Sequence, residues 1–180
     1  FDIQKTDELI NGNWTSETIN NYGNTNHKEV VNKGLKGVVG DKKVNLIIGG
    51  PPCQAYSVAG RAQDKNSMKD DYRNYLFESF IKVVDAFKPK IFVFENVPGM
   101  LSACPGGKMV TERVFESFSN HGYTIKEAIR LKDAVQTASD FGVAQKRKRV
   151  IIIGLRNDII SEKFNLTHIY KELDNLKTNN

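Results

Sequence analysis

Apolar positions along this chain alternate between two rhythms. Residues 44–50 (VNLIIGG) form a short β-branched run closed by glycines, which predicts a buried strand. Residues 71–87 place Tyr72, Tyr75, Leu76, Phe80, Val83, Val84 and Phe87 at helical spacing, and Lys88-Pro89 ends that helix. A second buried strand is predicted over 90–97 (KIFVFENV), stopped by Pro98-Gly99. Residues 111–120 read as a helix with Val114, Phe115 and Phe118 on one face, ended by Gly122. The stretch 123–131 (YTIKEAIRL) alternates like a strand, and 149–155 (RVIIIGL) reads as another buried one. An amphipathic helix is expected within 162–177, using Phe164, Leu166, Ile169, Tyr170, Leu173 and Leu176.

Strands alternating with helices predict an α/β architecture: a largely parallel sheet with helices on both faces. Such sheets bind ligands beyond the carboxyl ends of their strands. Cys53 follows the first predicted strand, and Glu95 and Asn96 end the second. Residues 11–26 are rich in asparagine (Asn11, Asn13, Asn20, Asn21, Asn24, Asn26) and read as a loop or insertion. Residues 27–43 carry weak helical spacing broken by Gly34, Gly37 and Gly40. Their GxxGxxG spacing is not that of a phosphate loop, and no strand precedes it.

Composition narrows the class. The length of 180 residues suits one domain, and 39% hydrophobic with 26% charged residues excludes a disordered tail, a coiled coil and a collagen-like rod. No apolar run approaches the roughly 18 residues of a membrane span. The start, FDIQKTDEL, has no secretion-signal core and no Met, so a segment of a longer protein is expected. Two cysteines in no CxxC pair exclude a disulfide scaffold and predict a reduced, cytoplasmic protein. His27, His121 and His168 have no metal-ligand spacing, so no metal is expected. A net charge of +5 permits a nucleic-acid partner without demonstrating one.

Three clusters carry chemistry. In Gly49-Gly50-Pro51-Pro52-Cys53-Gln54, two glycines and two prolines make a rigid strand exit with a thiol directly after it. Cys53 is either a small buried residue or a nucleophile presented at the open end of a sheet. In Phe94-Glu95-Asn96-Val97-Pro98, a carboxylate follows an apolar strand. Burial of a bare charge is costly, so Glu95 either faces solvent, is paired, or holds a proton. Gln145-Lys146-Arg147-Lys148-Arg149 leads into the last strand. It is either a solvated basic loop or an extended segment with Gln145, Arg147 and Arg149 on one face, suited to phosphate and base recognition.

GGPPCQAYSVAG, FENVPGM and QKRKRVIIIG together resemble the catalytic motifs of the cytosine carbon-5 DNA methyltransferases, in the family's order and roughly its spacing. The resemblance covers about Val44 to Asn157; DYRNYLF and the opening FDIQKTDEL also resemble family segments. It implies a Rossmann-like S-adenosylmethionine-dependent methyltransferase fold, present in part. It implies methyl transfer from S-adenosylmethionine to carbon 5 of a flipped-out cytosine in double-stranded DNA, in restriction-modification or phage protection. By resemblance Cys53 adds to carbon 6, Glu95 protonates or hydrogen-bonds ring nitrogen N3, and Arg149 with Arg147 contacts the base or its phosphates. Gln54, Ser57 and Gln145 join them on DNA, and Asn96 orders the catalytic loops. Asp2, Ile3, Gly50, Pro52 and Leu76 would surround the cofactor. The family's FxGxG loop and ribose-binding acid are absent, as is room for a target-recognition domain. Residues 1–157 are therefore expected to be part of a catalytic domain, with 11–43 an insertion, and 158–180 a helical extension toward a recognition region. Missing flanks or a second chain would supply the rest. The same motifs occur in enzymes that methylate RNA. A silent nucleic-acid-binding module and a nicotinamide oxidoreductase are further alternatives, disfavoured by the intact cysteine, carboxylate and arginine set.

Overall fold

The structure, a computed structural model, describes residues 5–18, 28–52 and 76–178. Asp2, Ile3, Cys53, Gln54, Ser57, His27, Asn20 to Asn26 and the predicted helix start at 71–75 lie outside the described residues.

Two helices open the chain, α1 (Thr6–Asn11) and α2 (Lys28–Val39). Part of the segment read as an insertion is therefore helical. Gly34 breaks α2 with φ 60° and ψ −178°, and a Cβ there would lie 2.3 Å from the Gly12 amide nitrogen. Only glycine permits both the positive φ and this approach of α2 to α1. Strand β1 (Leu46–Gly49) follows, then α3 (Leu76–Phe87), β2 (Ile91–Asn96) and α4 (Val110–Asn120). Two short strands, β3 (Tyr123–Thr124) and β4 (Val135–Thr137), precede the long β5 (Lys148–Arg156) and α5 (Leu166–Asn175).

The sheet order is β1-β2-β5-β3, with β4 also on β5. β1 pairs parallel with β2, whereas β2, β3 and β4 each pair antiparallel with β5. Strands β1 to β4 thus all run one way, as expected of a largely parallel sheet. The neighbour pairings correct that expectation, because the one reversed strand sits in the middle. The cause is the connection: only residues 138–147 separate β4 from β5, with no crossover helix among them. A link of that kind returns the chain antiparallel.

Register assigns the faces. Phe92 and Phe94 stand opposite Gly154 and Ile152, and all four belong to the face covered by α3 and α4. Phe92 stacks on Phe118 of α4 at 4.1 Å and meets Phe80 of α3 edge-on at 5.9 Å. Gly154 makes room for that cluster: a Cβ there would lie 2.1 Å from the Phe92 ring. The other face carries Ile151, Ile153 and Leu155 of β5, and α5 approaches it there, Leu173 sharing a pocket wall with Ile151. Helices therefore lie on both faces.

Tyr170 of α5 fills a gap in the sheet. The outer edge of β5 pairs with β3 at Leu155 and Arg156 and with β4 at Lys148 to Val150. Between them the Tyr170 hydroxyl donates to the Ile151 carbonyl at 3.0 Å and accepts from the Ile153 amide at 3.2 Å. One phenol so satisfies two backbone groups that a strand would otherwise pair. Burial pushes its pKa up to about 12, and does the same for Tyr123, whose hydroxyl donates to the Pro89 carbonyl at 2.7 Å.

Two further expectations are corrected. The strand predicted over 123–131 stops at Thr124, and Ala128–Ala134 coils into a 3-10 helix. To extend, β3 would need the edge of Ile153, which Tyr170 occupies. β1 is not a buried strand: Leu46 is 48% and Ile48 69% exposed. Its other face meets α3, where Gly49 lies against Phe80, but among the described residues no helix lies over Leu46 and Ile48. An unbroken apolar run cannot distinguish a strand covered on one face from one covered on both. No helix among the described residues is long and apolar enough to cross a membrane.

Candidate active site

Glu95 is the penultimate residue of β2, on the face of Ile151. Arg149 lies two residues before Ile151 on β5 and is the diagonal neighbour of Glu95. Its Nε forms an ion pair with Glu95 Oε1 at 2.6 Å, with the two side chains 22% and 40% exposed. Of the readings left open for Glu95, the structure therefore selects the paired one. The pair stays open to solvent, so each group retains surface for a ligand.

Asn96, the next residue, points the opposite way and is buried. Its Oδ1 accepts from the Val97 amide at 2.8 Å, and its Nδ2 donates to the Pro51 carbonyl at 3.4 Å. That second bond ties the exit of β1 to the end of β2, and Pro51 is itself buried. Gly50 completes the junction. A Cβ at position 50 would stand 2.7 Å from Glu95 Oε2, so only glycine leaves the carboxylate its position. Gly50, Pro51, Glu95, Asn96 and Arg149 thus form one constellation at the carboxyl ends of two adjacent parallel strands. The described chain stops at Pro52, the residue before Cys53.

The basic segment behaves otherwise than expected. Gln145, Arg147 and Arg149 do not share one extended face. The Gln145 amide donates to the Val143 carbonyl at 2.7 Å and the Arg147 amide to the Gln145 carbonyl at 2.9 Å, which makes two consecutive three-residue turns. Alternation requires extended backbone, and here it begins only at Lys148. Arg147 and Arg149 still line one pocket of about 330 Å³, while Gln145 lines a separate one with Lys146.

That 330 Å³ pocket adds a residue the sequence did not flag. Gln136 of β4 pairs in register with Arg149 and is 8% exposed, and its Oε1 has no hydrogen-bond partner among the described residues. The signal was faint: a polar residue directly after the apolar pair Ala134-Val135.

Residues 11–179 match the profile of the C-5 cytosine-specific DNA methylases. The chain belongs to that family. It is 51% identical over 118 residues to the Type II methyltransferase M.Bpa9945I of Bacillus paralicheniformis, which covers 64% of this chain and 26% of that protein. It is 35% identical over 171 residues to M.FnuDI of Fusobacterium nucleatum, covering 92% of this chain and 45% of that one. A solved structure assigned as a DNA modification methyltransferase from an E. coli prophage superposes with a TM-score of 0.51 at 32% identity, over 71% of this chain and 32% of that one. The chain thus spans between about a quarter and a half of these relatives. The fold is that of the S-adenosylmethionine-dependent methyltransferases, present in part.

Of the residues expected to hold S-adenosylmethionine, only Gly50, Pro52 and Leu76 are among the described residues. Gly50 and Pro52 are exposed at the carboxyl end of β1, where such sheets take their ligands, and the missing Cβ of Gly50 leaves that wall open. Both fit a cofactor wall. Leu76, at the start of α3, is 6% exposed and has little side-chain surface left for a ligand.

Proposed function

We propose that this chain carries the catalytic centre of a Type II DNA cytosine-5 methyltransferase, with Cys53 as nucleophile and Glu95 as the group that meets the base. The Glu95–Arg149 pair, set beside the strand exit that leads to Cys53, is the observation that carries this reading. Carbon 5 of cytosine is a poor nucleophile. The Cys53 thiolate forms a bond to carbon 6, the ring becomes an enamine, and negative charge develops at N3. Glu95 Oε1 is already engaged by Arg149, so Oε2, on the Gly50 side, is the oxygen that would take up a proton from solvent and pass it to N3. Acid help of this kind is typically worth about 10²- to 10⁴-fold. Bound S-adenosylmethionine would supply the methyl group, as an electrophile for carbon 5. Loss of the carbon-5 proton to a base then returns its electron pair to the ring and expels the Cys53 thiolate, and N3 gives its proton back to Glu95.

A base inside a duplex is out of reach of these groups, so the cytosine is extruded at a cost of a few kcal/mol. Arg147 and Arg149, sharing one pocket wall, provide cationic and planar contacts that offset part of this cost. Gly50 and Pro52 would wall the cofactor, with Asp2 and Ile3 against its adenine, and Gln54, Ser57 and Gln145 would join the DNA interface. Residues 1–157 would supply part of the catalytic domain and 158–180 the path toward target recognition.

The test is covalent trapping. The full-length protein is incubated with S-adenosylmethionine and duplex DNA carrying 5-fluorocytosine, whose fluorine blocks the final elimination. A denaturation-resistant adduct that maps to Cys53 and is lost in Cys53→Ser is expected. No adduct across a broad set of duplex sequences would refute the DNA reading, and an adduct formed only on RNA would transfer the chemistry to that substrate.

A further inference from the structure

A cleft of about 740 Å³ lies at the opposite end of the sheet from Glu95. Six cationic side chains line it (Lys36, Lys42, Lys43, Lys88, Lys90 and Arg156), and no acidic residue does. Its walls come from the C-terminal end of α2, the turn leading to β1, the end of α3 with the turn after it, and the end of β5. Two of the cations are matched nearby: Arg156 pairs with Asp158 at 2.6 Å, and Lys88 pairs with Asp85. Lys36 donates to the neutral Asn11 side chain at 3.0 Å. Lys42, Lys43 and Lys90 make no salt bridge among the described residues.

Helix ends account for some lysines in proteins, because an ammonium can satisfy the last carbonyls. Here backbone amides satisfy three of those carbonyls. The Gly40 amide donates to Lys36 O at 2.9 Å, the Lys42 amide to Val39 O at 3.3 Å, and the Lys88 amide to Val84 O at 2.8 Å. Lys42 and Lys43 thus carry charge that no salt bridge among the described residues balances, and Lys90 is balanced only through the exposed Asp158, whose carboxyl its charge helps to hold below the usual range. Like charges gathered in one concavity repel each other, and an entering polyanion relieves that repulsion. A chain of phosphates matches such a cleft, because each ammonium can meet one phosphate oxygen as a point charge.

We propose that this cleft is a second phosphate-binding site, taken by the sugar-phosphate backbone of DNA away from the base that reacts. Five residue steps along extended chain separate Lys90 from Glu95, about 17 Å at roughly 3.3 Å per residue. The cleft therefore grips DNA outside the contacts of the catalytic end. It gives sequence-independent affinity and holds the protein near DNA while a target is found. The proposal rests on the reading of DNA as substrate only for the choice of polyanion.

The experiment measures binding of the full chain to a fluorescent 30-base-pair dA·dT duplex, which contains no cytosine, between 50 and 200 mM NaCl. Each phosphate neutralised contributes about 0.9 to the slope of log K against log salt. The triple variant K42Q/K43Q/K90Q is expected to lower that slope by two to three and to weaken binding at least about tenfold at 100 mM. K42R/K43R/K90R, which keeps the charge, is expected to bind as the parent does, which separates charge from misfolding. An unchanged slope in the glutamine variant, or loss of binding in both variants, would overturn the proposal. Binding of tripolyphosphate by the parent chain, without lysine-dependent duplex binding, would overturn the DNA backbone as the source of the phosphates. The 5-fluorocytosine adduct reports on Cys53 alone, so failure of the catalytic reading and failure of this cleft give different results.

Discussion

Replacing Tyr170 by phenylalanine tests the sheet repair at β5. The ring and its volume stay, so packing against the core is retained and only the hydroxyl is lost. Two backbone groups then lose their partner: the Ile153 amide, in a residue 8% exposed, and the Ile151 carbonyl, in a half-buried one. An orphaned buried donor costs about 1–3 kcal/mol, and the partly exposed carbonyl recovers some water, so the sum is about 2–3 kcal/mol. With a urea m-value of about 2 kcal/mol per molar, the unfolding midpoint should fall by roughly 1 M. Amide exchange at Ile153 should quicken with it. The same variant carries an alkaline signature. Tyr170 holds its proton up to about pH 12 when folded, against an ordinary phenol value near 10. The unfolded chain therefore releases that proton first, and stability falls as pH rises from 10 to 12. Tyr170→Phe should flatten the part of this decline due to Tyr170 and leave the part due to Tyr123. A midpoint shift below about 0.2 M would refute the idea that the phenol stands in for a missing strand.

Two other glycine positions give predictions of opposite kind. Gly154→Ala would place a methyl group 2.1 Å from a Phe92 ring pinned on Phe118, so thermal melting should show a loss of about 1–3 kcal/mol, net of the small gain from stiffening the unfolded chain. Gly50→Ala meets only the end of a flexible side chain, Glu95 Oε2, so stability should stay within about 0.5 kcal/mol. Turnover of the full-length enzyme should nevertheless fall about 10- to 100-fold, because the carboxylate must shift by up to about 1 Å. Unchanged kcat in Gly50→Ala would mean that the position of Oε2 does not limit the reaction.

The local sequence determined the parts of this protein that depend on neighbours in the chain. Apolar runs placed β2 and β5 within a residue or two, and helical spacing placed α4 and α5. Strand ends marked Glu95, Asn96 and the Pro51-Pro52 exit as the chemistry-bearing positions, because a glycine–proline turn and a charge after an apolar run are visible over a few residues. What depended on residues far apart in sequence was not legible. The reversed β5 follows from the helix-free link back from β4, the open face of β1 from the lack of a helix over it among the described residues, and the early end of β3 from Tyr170, which takes that edge from a position 17 residues downstream of Ile153. The choice of a paired Glu95 required Arg149, 54 positions away, to become its diagonal neighbour. The lysine cleft likewise draws on α2, α3, β5 and the turn before β2 at once. Hydrophobic period encodes the direction a side chain takes from its own backbone, whereas the partner it meets there is fixed only when the tertiary fold closes.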